Sequence, residues 1–225
     1  MRKWIVRILS FIILLLLAVS ALLGNGKFDG VWMAGFHNKR PAQGRQLALL
    51  ALRAIDSSST HLRQSSIQLR AKTFNIPLDN KLFRLGASLG IFTRGLSGWW
   101  KIRTEVSVWR LGPATFLHEP GELYPEIANG GIEMPAGQDY DLSPVETPSL
   151  RELTPGEFKF IIGLSNDMIG YIIPKSQWDE NAPFTYNQLE APYGEINSVG
   201  PETGPIVYGE LKKLLSEIEA PSFSK

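Results

Sequence analysis

From Ile8 to Gly26 the chain carries no charged side chain, and within that run Phe11 to Val19 is purely apolar. Before Gly24 only Ser10 and Ser20 interrupt it. An α-helix rises about 1.5 Å per residue and needs roughly 17 to 25 such residues to cross the hydrocarbon layer of a bilayer. Trp4, Ile5 and Val6 in front bring the stretch to that length. Arg2, Lys3 and Arg7 crowd its N-terminal side, whereas Lys27 is the only basic residue close by on the other. The positive-inside bias therefore leaves the N-terminus cytoplasmic and exports everything after Asn25. A basic start, an apolar run and the small residues Val19-Ser20-Ala21 also fit a cleaved signal peptide. The run continues through Leu22 and Leu23, beyond the usual ~7 to 15 residues of a signal core, which favours a retained anchor over residues 1–26.

Residues 27–225 are enough for one domain with a real core, and the expectation is a single mixed α+β domain after the transmembrane helix. Three of the 23 basic residues lie in the anchor, so the exported part has 20 against 22 acidic ones, a net of −2. That balance argues against nucleic acid as a partner. There is no cysteine, which excludes disulfides, thiol chemistry, a lipoprotein anchor and a Cys-type zinc site.

Gln46 to Ile55 consists largely of strong helix formers and is broken by Asp56 to Thr60. Ile67, Leu69 and Ala71 alternate with Gln68, Arg70 and Lys72, the pattern of a half-buried strand that finishes before Pro77. Val106 and Val108 alternate in the same way; Gly112-Pro113 supplies a turn, and Ala114 to Leu117 returns as the second strand of a hairpin. Residues 129–157 hold eight glycines or prolines and read as a long irregular excursion of the kind that often frames a site. Phe158 to Leu164 is apolar nearly throughout, as a buried strand would be. Val207, Leu211, Leu214, Leu215 and Ile218 recur at helical spacing, with Pro201 or Pro205 placed to open the helix.

Three segments hold the candidate chemistry. In Arg110 to Glu126 a Pro-Gly-Glu follows a predicted strand, so Glu122 stands at a strand end where Gly121 allows close backbone approach. A carboxylate there can bind a metal or act as a base, or serve as an ordinary loop charge. In Gly163 to Pro174 the polar candidates are Asn166, Asp167 and Tyr171; the plainer alternative is a turn capped by the first two and a core ring for the third. Tyr193 to Pro205 is a glycine-rich lead into the last helix and lacks the lysine and spacing of a phosphate loop. No two of His37, His61 and His118 have the spacing of a zinc pair, and neither Gly95-Leu-Ser-Gly98 nor Gly163-Leu-Ser165 completes a nucleophile elbow.

Together with Val31 to Phe36 and Arg40 to Ala42, these segments resemble the neutral, non-lysosomal ceramidase family, zinc-dependent amide hydrolases that cleave N-acylsphingosine. The family holds zinc with two histidines, a glutamate and a tyrosine; the resemblance implies Glu122 for the glutamate and Tyr171 for the tyrosine. The family's His-x-His-Ser-Gly type segment belongs between stretches like Val31 to Ala42 and Gln46 onward, and this chain is internally shortened there, near 42–46. Two protein ligands are too few for four-coordinate zinc, with His118 as a candidate substitute. The resemblance thus implies a membrane-anchored lipid-amide hydrolase, catalytically impaired unless the ligands are replaced. The alternative is a non-catalytic anchored interaction domain or a shortened gene product.

Overall fold

In a computed structural model the described residues are 43–56, 64–92 and 95–218. The predicted anchor, His37 and His61 lie outside them. Among the described residues no helix is long and apolar enough to cross a membrane. A helix, α1, covers 43–56, enclosing the predicted Gln46 to Ile55, and its side chains are exposed.

Residues 64–218 form a mixed α/β body, built on a four-stranded sheet with the order β1 (Ile67–Pro77), β2 (Lys101–Leu111), β3 (Ala114–His118) and β5 (Phe158–Ile162). β2 and β3 are the predicted hairpin, turning at Gly112-Pro113, and β1 pairs antiparallel with β2 from Ile67↔Leu111 to Pro77↔Lys101. β5 adds parallel to β3. A second, two-stranded parallel sheet pairs β4 (Glu122–Leu123) with β6 (Tyr171–Ile172). The helices of this body are α2 (Lys81–Ser88), α3 (Pro125–Asn129), α4 (Leu150–Leu153), α5 (Tyr193–Ile196) and α6 (Thr203–Ser216).

α6 carries the predicted stripe. Val207, Leu211, Leu214 and Leu215 are buried against Ile76 of β1, Ile102, Val106 and Val108 of β2, and Leu117 of β3. Full burial of a side chain of this size contributes about 1.5–3 kcal/mol, so this one layer of helix on sheet dominates the stability of the body.

Two strand expectations are corrected. In β1 the apolar positions Ile67, Leu69 and Ala71 face solvent, and burial reaches only Phe74 and Ile76 at the far end of the strand. The register sets the parity: Ile76 lies opposite Ile102 under α6, and the side-chain period of two then turns every odd position outward. β5 is an edge strand in which Phe158, Phe160 and Ile162 are exposed and only Lys159 and Ile161 point inward. Its apolar run reflects two apolar faces, of which one is covered.

Candidate functional site

Glu122 and Tyr171 are Cα partners in the β4–β6 ladder, although 49 positions separate them in sequence. The Glu122 amide donates to Gly170 O at 2.9 Å and the Tyr124 amide to Ile172 O at 3.0 Å. The chain segment after α5 closes the other side: the Tyr171 amide donates to Asn197 O at 3.1 Å, and Ser198 Oγ to Tyr171 O at 2.7 Å. Glycine is required at two points of this arrangement. A Cβ on Gly121 would lie 2.3 Å from Gly170 O, and one on Gly170, whose φ is +84°, would lie 1.8 Å from Asn197 O. The close approach expected at Gly121 is what brings the two strands together.

The Glu122 side chain, opposite across the ladder, is the first cause of a Tyr171 phenol pKa held above the usual range. The Tyr171 ring meets Tyr124 and Tyr193 edge to face, at centroid distances of 6.2 and 5.8 Å. Burial pushes the Tyr124 phenol up to about 12, with Glu195, Glu126 and Tyr171 adding to it.

This pair lines a cavity of about 510 Å³. Leu78, Phe83, Ala87, Phe92, Ile102 and Ile169 are among its apolar lining residues, and Glu122, Asp167, Tyr171, Tyr193 and Asn197 are its polar ones. No lysine, arginine or histidine is among the described residues that line it. A mostly apolar cleft of this size with a few converging polar groups is the usual form of a small-molecule site.

α2 supplies part of the apolar lining, and Asn80 fixes it. Its Oδ1 accepts from the Leu82 and Phe83 amides at 3.0 and 3.1 Å, an N-cap, while its Nδ2 donates to Ile196 O and Ser198 O at 2.8 and 2.9 Å. The first turn of α2 is thereby tied to the segment that carries Asn197. Asp167 is held by Thr104 Oγ1 at 2.7 Å and by the Met168 amide at 2.8 Å. It keeps the turn role open to it in sequence while also lining the cavity. Asn166 is exposed, has a φ of +67°, and does not reach the cavity. The excursion 129–157 contributes no lining residue either, so it does not frame this site.

Three features escaped sequence reading. α2 together with Ile91, Phe92, Leu96 and Ile102 supplies apolar lining, and Asp79-Asn80 before Leu82 and Phe83 was the capping signal that marked the helix. Glu119, three residues before Glu122, is 1% exposed; burial pushes its carboxyl to about 8 despite the Gly121 amide donating to Oε2 at 3.1 Å. Glu195 is buried as well and is pushed to about 7 chiefly by burial. Periodicity gives no sign of a buried carboxylate in a loop, as at Glu119, or in a one-turn helix, as at Glu195.

The donor set does not fit a zinc ion. Among the described residues no group of three or more His, Cys, Asp or Glu side chains is arranged to hold a metal. Glu122 and Tyr171 are only two ligands, and His118 is engaged elsewhere: its Nδ1 meets Ser165 Oγ at 3.1 Å and its ring lies against Trp109 at 4.5 Å. A structural or catalytic zinc takes three or four protein ligands, so no reaction step through a metal follows from these residues. No protein-family model, curated protein or solved structure matches the chain.

Proposed function

We propose that this chain is a membrane-anchored, ceramidase-like domain that binds lipid amides without hydrolysing them, an impaired member of the class whose motifs it resembles. In this reading residues 1–26 anchor it with the N-terminus cytoplasmic, and the α+β domain lies outside the cytoplasm. The observation that supports the reading is that Glu122 and Tyr171, ladder partners, both line a mostly apolar cavity. In this reading an acyl chain packs against lining residues such as Phe83, Ala87 and Phe92, and the amide and hydroxyls of the head meet the carboxylate and phenols. Full hydrolysis by the class mechanism needs a metal with more ligands than this pair offers.

The test uses the full chain in detergent with a fluorescent N-acylsphingosine. Saturable binding is expected, at least tenfold weaker in Ala87→Phe, whose ring intrudes into the cavity, with no fatty acid released and no stoichiometric zinc. Equal binding by the folded variant and the parent would overturn the cavity assignment, and zinc-dependent fatty acid release lost in Glu122→Ala would restore the hydrolase.

A further inference from the structure

The four-stranded sheet has a second face that α6 does not touch; it is apolar toward the β2–β3 turn and passes along β1 and β2 into Glu105, Arg103 and Lys101. The register aligns its residues in cross-strand rows. One row is Leu69, Trp109, Phe116 and Phe160; the next is Ile67, Leu111, Ala114 and Phe158. Phe116 and Phe160 stack at 4.8 Å, so the central row is already ordered as a packing surface. A third row is Ala71, Ser107, His118 and Ile162.

Such a face does not belong in water. A strand in parallel pairing is ordinarily covered on both sides, and β3 pairs parallel with β5. Six large apolar side chains of the first two rows, Ile67, Leu69, Trp109, Leu111, Phe158 and Phe160, are 45–76% exposed, while Phe116 between them is half-buried. With each large apolar residue offering roughly 200 Å², they leave on the order of 600–700 Å² of contiguous apolar surface, at or above the largest patch of an ordinary monomer. Two such faces would together bury on the order of 1,300 Å², within the range of ~1,200–2,000 Å² for a specific, stable interface.

We infer that this face is the interface of a two-fold homodimer, in which two copies pack sheet on sheet through Trp109, Phe116 and Phe160. A second copy suits it for two reasons beyond area. The first two rows carry no charge, so identical faces meet there without like-charge repulsion. Sheets stack about 10 Å apart with interdigitating side chains, and this surface of separate aromatic and aliphatic ridges offers both knobs and gaps.

The absence of cysteine makes the test direct. The full chain in detergent is measured by light scattering with the detergent mass subtracted, and as single-cysteine variants treated with a bismaleimide of about 10 Å reach, the spacing of stacked sheets. Expected are a dimeric mass and cross-linking of Leu111→Cys but not of Leu189→Cys, which lies on no strand. The pair Leu69→Lys and Phe160→Lys raises the dimer dissociation constant at least 100-fold. A monomer with a reactive Leu111→Cys overturns the proposal, as does a monomer in which that thiol is protected, which assigns the face to other parts of the same chain or to lipid. A dimer indifferent to both lysines, with no Leu111→Cys cross-link, places the contact elsewhere and overturns it equally. Should the lysine variants fail to fold, the cross-link alone decides.

Discussion

Tyr171 stands directly opposite Glu122 across a ladder only two residues long, and the Glu122 side chain is the first cause of a phenol pKa above the usual range. Ionisation of the phenol would set a negative charge beside the carboxylate. Glu122→Gln removes the charge, and the Tyr171 pKa is expected to fall toward the ordinary phenol range. Tyrosine-selective carbon labelling followed by NMR titration reads it against the other tyrosines. An unchanged Tyr171 titration would show that the pair does not interact in solution.

Gly170→Ala is expected to be among the most damaging single substitutions. The added carbon meets Asn197 O at 1.8 Å on backbone already at a φ of +84°, and no flexible side chain stands between them to move aside. A loss above about 3 kcal/mol follows from the steric and conformational costs together. Urea unfolding measures it, and a loss under about 1 kcal/mol would mean that β6 and the segment after α5 are not held together as described.

Asn80→Ala removes an N-cap and leaves two carbonyl acceptors, Ile196 O and Ser198 O, without that donor. The cap alone is worth about 1 kcal/mol and the cross-link comparable amounts, so a total of roughly 2–3 kcal/mol is expected. Asn80→Asp keeps the cap and loses the donors, and should recover about half. If both variants lose the same, the cap contributes nothing.

Stability should fall as pH rises from about 4.5 to 8. Glu119 has a carboxyl raised from 4.5 to about 8 by burial, so over that window the folded state keeps a proton that the unfolded chain has released. Stability is therefore full below the unfolded pKa and declines toward the folded one, by at most about 1.4 kcal/mol per pH unit for one such group. Glu195, raised to about 7, adds to the slope. Melting temperature against pH measures it, and Glu119→Gln should flatten most of the upper part. A variant with the parent's slope would exclude Glu119 as the source.

The elements legible in sequence were those whose pattern reports one contact. The stripe of α6 and the β2–β3 hairpin follow from side-chain period and turn chemistry, and both are present where the pattern put them. β1 and β5 were found as strands but assigned the wrong burial, because alternation identifies two faces and does not say which one is covered. That choice lies in the register between Ile76 and Ile102, a long-range fact. At the site, the resemblance named Glu122 and Tyr171, and the ladder makes them neighbours. The cavity they serve depends on α2 meeting residues more than a hundred positions away, which no local spacing encodes.

Asn80 uses both ends of one amide to join the start of α2 to the backbone at Ile196 and Ser198. Phe83 and Ala87, which α2 contributes to the cavity, and the backbone around Asn197 are therefore a single mechanical unit, and prying them apart means unwinding the first helical turn.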